Sequence, residues 1–274
     1  MARSNGTQFA TARLGTGPRL HYAERGAKEG EAIVFLHAYA DSWFSYSRVL
    51  PLLSHEYCAL APDQRGHGDS DKPERGYATD DFAADVDAFM DVVGIEEATL
   101  VGDFSGGLIA QRVALSYPHR VSRLILLGSP TTLVTNETVM EAGEDLLALE
   151  DPISGGFVRG FVEGMIHHPV PEAFLAGAVS ESLKVPARVW RGYYEGVVRT
   201  TDDTARLGEI GAPTLILWGE RDAVLAREEQ ERRAAAIPDA TLRVYPDTGH
   251  LVHWERPEWV VRDLEAFIEG TSCA

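Results

Sequence analysis

Cysteine is nearly absent. Cys58 and Cys273 are the two thiols in 274 residues. Cys58 lies in an apolar run and reads as an unpaired core side chain, and no disulfide framework or zinc-type spacing is present. Positive charge is also scarce: 25 Lys and Arg face 42 Asp and Glu, a net charge of −17. A field of that sign repels phosphate backbones and anionic lipid, which excludes nucleic acid and membrane surfaces as partners. No stretch approaches the roughly 18 consecutive apolar residues of a membrane span. Residues 1–17 lack the apolar core of a signal peptide, so a cytoplasmic location is expected. Internal repeats and low-complexity tracts are missing. The remaining composition, 45% hydrophobic and 24% charged with 26 Gly and 14 Pro, is that of a globular chain. At about 150 residues per domain, the length suits two units or one large α/β domain carrying an insertion.

Short apolar runs alternate with helical patterns. The runs are residues 32–37, 57–61, 98–102, 121–127, 213–218 and 241–245. Most are nearly continuous in apolar character, as strands buried on both faces are. Residues 80–93 read as a helix that opens with Asp80 and Asp81 and stops at Gly94. Residues 106–117 place Ala110, Val113, Ala114 and Tyr117 on one stripe. Residues 257–268 do the same with Val260, Val261, Leu264 and Phe267. Alternating strand and helix predicts a mainly parallel sheet with helices on both faces and ligands beyond the carboxyl ends of the strands. Residues 130–205 break the alternation with helices, Gly and Pro punctuation and aromatics, and read as a helical insertion over one end of the sheet.

Unusual residues cluster where the runs end: His37-Ala38-Tyr39-Ala40, the loop from Asp63 to Ser70, Gly102-Asp-Phe-Ser-Gly-Gly107, Gly219-Glu-Arg-Asp222 and Asp247-Thr-Gly-His250. Singly each has an ordinary explanation, since glycine turns lead into helices, aspartates cap them, and a lone histidine is usually structural. Together they suit chemistry. A carboxylate at Asp222 and an imidazole at His250, on adjacent strand ends, fit a base and the group that orients it.

This constellation resembles the α/β-hydrolase-fold family, in its lid-bearing esterase, lactonase and epoxide or haloalkane hydrolase branch. The resemblance spans about residues 9–268 and rests on the His37-Ala38-Tyr39 turn, the Asp63-Gln-Arg-Gly-His-Gly-Asp-Ser70 loop, the Gly102–Gly107 turn, Asp222 and His250, in the family's order of elbow, acid and histidine. It implies an α/β-hydrolase core at 1–129 and 206–274, a lid at 130–205, no cofactor or metal, and a small-molecule substrate. Oligomeric state is left open.

The sequence departs from the family at its centre. The family's nucleophile lies in the middle of G-x-S-x-G, and that motif occurs nowhere in this chain. Gly102-Asp-Phe-Ser-Gly106 has both glycines at the right spacing with Phe104 between them. In one register Phe104 holds the elbow and Ser105 follows it. In the other the turn slips by one residue and Ser105 attacks an acyl carbonyl, with Gly106 N–H and Tyr39 N–H as the oxyanion hole; Asp103 then crowds a strained turn. With Phe104 at the elbow, His250 is left to act as a general base on water or on substrate, or the site binds without turnover. Asp103 reads as structural, pointing away from the pocket.

Other candidates have plainer readings. His37, Asp63, Arg65 and His67 match the family's loop-fixing network, and Ser70 is a turn residue. His167-His168 lacks further ligands in sequence and reads as a solvated turn. Trp43 and Phe44 either line the pocket or pack beneath the lid. Trp190, Tyr193 and Tyr194 are packing residues by default, with one tyrosine hydroxyl a candidate for facing substrate. Epoxide opening and dehalogenation need an Asp at the elbow centre, and Phe104 is not one. The sequence therefore points to a hydrolase acting on a small apolar ester or lactone. Its alternatives are a cofactor-independent oxygenase, lyase or cyclase using His250 and Asp222, or a catalytically disabled binding protein.

Overall fold

A computed structural model describes residues 6–270 of the chain. Cys273 and the first five residues of the segment tested for a signal peptide lie outside the described residues. Cys58 is a buried free thiol.

Eight strands form one sheet: β1 (Gln8–Arg13), β2 (Arg19–Gly26), β3 (Ala32–Leu36), β4 (Cys58–Pro62), β5 (Ala98–Asp103), β6 (Val121–Leu127), β7 (Thr214–Gly219) and β8 (Ala240–Tyr245). Their order is β1-β2-β4-β3-β5-β6-β7-β8. Every pairing from β4 to β8 is parallel, and β1 and β2 join antiparallel at one edge. The six apolar runs correspond to β3–β8. The β1–β2 hairpin has no counterpart among them, because an edge pair is wet and alternating and carries Arg13, Arg19 and Glu24 in place of a continuous apolar run.

The helices are α1 (Thr79–Val93), α2 (Ser105–Ser116), α3 (Glu137–Leu147), α4 (Gly155–Glu163), α5 (Glu172–Ser182), α6 (Ala187–Tyr193), α7 (Arg227–Ala236), α8 (Val252–Glu255) and α9 (Pro257–Ile268). Strand residues alternate between two cores, as a period of two requires. Val34, Leu36, Leu100, Leu124 and Leu126 pack against Phe82, Phe89, Leu108 and Val113 of α1 and α2. Ile33, Phe35, Val101, Ile125 and Leu217 face Val260, Val261 and Leu264 of α9. Between β6 and β7 the chain runs through α3–α6, joined by an isolated antiparallel bridge between Thr132 and Asp202. A third apolar cluster seats this segment: Val162, Phe174 and Leu175 pack with Leu251 and Trp254. No helix among the described residues is long and apolar enough to cross a membrane.

Candidate active site

The parallel strands bring their carboxyl ends, and the turns that follow, to one edge of the sheet. At the centre β5 turns sharply into α2. Phe104 makes that turn with φ +43 and ψ −113, a region that side-chain-bearing residues rarely adopt. Glycine is required around it. A Cβ on Gly106 would overlap the carbonyl oxygens of Leu36 and His37, and one on Gly102 would overlap Gly107. The turn is therefore held by close backbone approach of α2 to β3 and β5.

The Phe104 ring packs edge-on to His250, with centroids 4.9 Å apart. His250 Nδ1 lies 2.8 Å from Asp222 Oδ2, and both side chains are fully buried. The other Asp222 oxygen accepts the backbone N–H groups of Val224 and Leu225 at 2.8 and 3.0 Å. Asp222 can only accept, so Nδ1 donates to it. His250 Nε2 is buried and has no hydrogen-bond partner among the described residues.

Ser105 lies at the first position of α2 and is buried. Its Oγ accepts the Tyr39 N–H at 2.9 Å and the Tyr193 hydroxyl at 3.1 Å. Among the described residues no hydrogen bond joins Ser105 to His250. The structure thus brings His250, Asp222 and Phe104 together, and groups Ser105 with Tyr39 and Tyr193. The Tyr39 N–H, read from sequence as an oxyanion donor, is directed at the serine hydroxyl. Gly106 sits against β3 as described above.

Asp103 ends β5 and is fully buried, with neither carboxylate oxygen hydrogen-bonded among the described residues. Burial, then the negative charges of Asp41 and Asp222, push its carboxyl well above the usual range. His253 Nε2 stands 3.6 Å from it and 2.9 Å from Ser45 Oγ. Burial lowers the His253 pKa to about 3, which keeps that ring neutral. Asp103 is not part of the cavity wall beside Phe104.

That cavity measures about 20 Å³, space for about one water molecule. Ala38, Tyr39, Ala40, Asp41 and Phe104 form one side, and Phe161, Val162 and Met165 of the α4 region, with Ser182, Leu251 and Trp254, form the other. Any substrate larger than a few atoms requires these walls to move apart. Trp43, Trp190, Tyr193 and Tyr194 are not among the lining residues. Trp43 packs on Phe9 at 4.8 Å, Trp190 offers its carbonyl to the Tyr39 hydroxyl at 2.7 Å, and Tyr194 reaches Met140. Of the four, Trp190 and Tyr193 contact candidate site residues, Trp190 through Tyr39 and Tyr193 through Tyr39 and Ser105.

The loops behind the site are tied by buried polar contacts. Gln64 N–H donates to His37 Nε2 at 2.9 Å, and His37 Nδ1 faces the Ala38 carbonyl at 2.8 Å, fixing a neutral ring. Asp63 binds His21 and the backbone N–H groups of Trp43 and Asp69. Arg65 pairs with Asp85 at 2.6 Å, His67 holds the Arg65 carbonyl at 2.9 Å, and Ser70 donates to the Asp63 carbonyl.

The model of the alpha/beta hydrolase fold family matches residues 31–164 and 165–257. The chain belongs to the α/β-hydrolase fold family. A 2-hydroxy-6-oxononadienedioate/2-hydroxy-6-oxononatrienedioate hydrolase of Comamonas testosteroni is 30% identical over 88% of this chain and 87% of its own length. A 2-hydroxy-6-oxo-6-phenylhexa-2,4-dienoate hydrolase of Burkholderia cepacia is 29% identical over 88% of this chain and 87% of its own. Among solved structures, Est816, described as an N-acyl homoserine lactone degrading enzyme, superposes with a TM-score of 0.80 at 30% identity, covering 94% of this chain and all of that one.

Within this α/β-hydrolase fold, the first strand end carries one more site residue beyond Ala40. Asp41 follows Ala40 (φ +56), is buried, and lines the cavity. Burial pushes its carboxyl up to about 7, while hydrogen bonds from Ser45 and the Ser42 N–H partly oppose the shift. The signal was an acidic residue directly beyond the His37 turn. Ser45 and His253 gave no signal, since 208 residues separate the hydrogen-bonded pair.

Proposed function

We propose that this protein is an enzyme in which His250, oriented by Asp222, acts as a general base on a small apolar ester or lactone without a covalent acyl-enzyme. The observation that carries the reading is the pairing of Phe104 with His250. The ring packed against the imidazole has no nucleophile, and the neighbouring hydroxyl at Ser105 is engaged by Tyr39 and Tyr193. Water admitted beside Nε2 gives up a proton to the imidazole while its oxygen adds to the carbonyl. Asp222 stabilises the imidazolium so formed. The same proton then goes to the departing alkoxide as the tetrahedral adduct collapses. We read residues 130–205 as a lid, because α4 contributes one wall of the cavity and opening it admits substrate.

A second reading has the same base remove a proton from the substrate itself, in non-hydrolytic chemistry. The burial of Nε2 without a hydrogen-bond partner among the described residues favours it. The two readings share His250 and differ in the fate of water. Turnover of short aryl esters and lactones by the wild type, His250→Ala and Ser105→Ala tests the proposal. His250→Ala should lose about 100-fold or more, and Ser105→Ala about tenfold or less. Incorporation of ¹⁸O from water into the acid product marks hydrolysis. Equal, severe losses in both variants would overturn the base-only reading, and binding without turnover would reduce the site to a receptor.

A further inference from the structure

Away from this site, the connection between α4 and α5 meets the loop that leads from β8 to His250. His167 Nε2 lies 3.2 Å from Asp247 Oδ1, and His168 Nε2 lies 2.9 Å from Asp247 Oδ2. The three side chains are exposed or half-buried, and each offers a ligand atom within 4.8 Å of the other two. In sequence His167-His168 lacks a further ligand; the fold supplies one about 80 residues later.

From this convergence we propose a divalent transition-metal site formed by His167, His168 and Asp247, which clasps the α4–α5 connection to the His250 loop. Tetrahedral bonds of about 2.0–2.1 Å place neighbouring ligand atoms about 3.3 Å apart; each histidine stands at about that distance from one oxygen of the Asp247 carboxylate, and small side-chain rotations within the 4.8 Å cluster would bring all three atoms around one ion. Two imidazole nitrogens and one carboxylate oxygen suit zinc, cobalt or nickel better than calcium or magnesium, which prefer all-oxygen sets. The exposed side leaves a fourth position for water.

The backbone that carries the ligands is already organised. One carboxylate, Glu255 at the end of α8, accepts the N–H groups of His167 at 2.8 Å, His168 at 3.2 Å and Gly249 at 3.0 Å. Arg256 holds the Asp247 carbonyl at 3.0 Å. Asp247 itself is kept at φ +48. Such outer contacts fix ligands in place before the metal arrives. Binding would tether the α4 side of the cavity to the loop three residues before His250.

The test uses tag-free, chelator-stripped protein. Calorimetric titration with Zn²⁺ and visible absorption with Co²⁺ should show one equivalent per chain, and Zn²⁺ at about 100 times its Kd should raise Tm by about 5 °C. His168→Ala and Asp247→Asn should each weaken binding at least tenfold and remove the Tm rise, while their Tm in chelator stays close to that of the wild type. A His167→Ala/His168→Ala double variant should bind none at this site. Absence of stoichiometric binding in the wild type, or binding that persists unchanged in the double variant, overturns the proposal and leaves an exposed hydrogen-bonded cluster.

Discussion

The Phe104 ring and the His250 imidazole pack at right angles with centroids 4.9 Å apart, and Asp222 holds the imidazole at Nδ1. In this α/β hydrolase the sharp turn therefore presents a hydrocarbon to the base. Each of the following expectations tests part of that arrangement.

Phe104→Ser places a hydroxyl on the strained turn and removes the ring packed against His250. The variant should become reactive toward a fluorophosphonate, read as a mass adduct absent from the wild type. Loss of the buried ring should also lower stability by about 3 kcal/mol, measured by urea unfolding. An unreactive, folded variant would show that Nε2 does not address this turn.

Asp222→Asn keeps the shape of the pair but offers an amide where Nδ1 needs an acceptor. The wrong tautomer then puts the proton on Nε2. Turnover should fall by about 1,000-fold or more with little change in KM. Steady-state kinetics check this, and a loss below tenfold would remove His250 from the chemistry.

Gly106→Ala introduces a Cβ against the carbonyls of Leu36 and His37, which are backbone and cannot swing aside. The variant should lose about 2 kcal/mol or more, or fail to accumulate, as seen in thermal unfolding. A neutral outcome would mean that α2 does not approach β3 this closely.

Asp41→Asn tests the buried carboxyl of the cavity. Burial lifts its pKa from 3.8 to about 7. The folded chain then holds a proton that the unfolded chain has released, so the stability linked to Asp41 is full below pH 4 and is lost as pH rises to about 7. The variant lacks this term. Between pH 4 and pH 8 it should gain on the wild type by up to about 4 kcal/mol, followed by denaturant unfolding at each pH. A difference that stays constant with pH would contradict the assignment.

The fold was legible in the sequence because most of β3–β8 are nearly continuous apolar runs and α1, α2 and α9 carry clear stripes. The antiparallel pair β1 and β2 was not, since wet alternating strands resemble loops when charges interrupt them. At the site, Asp222, His250 and the glycines around Phe104 stood out because each follows a strand. The register at Phe104 and Ser105 stayed ambiguous in sequence, where a one-residue slip changes no composition. It becomes a matter of one dihedral angle and of which atoms the serine hydroxyl meets. Trp43, Trp190 and Tyr194 are indistinguishable by residue type from pocket aromatics, and their placement depends on packing between distant segments. The Asp247 cluster and the Ser45–His253 contact come from long-range topology that no local pattern encodes.

The most direct measurement is intact-mass spectrometry of the wild type after exposure to a serine-directed fluorophosphonate, with Ser105→Ala alongside. The account predicts no adduct on either protein while His250-dependent turnover persists. A single adduct on the wild type that vanishes in Ser105→Ala would contradict it, and would make Ser105 the nucleophile of a slipped turn.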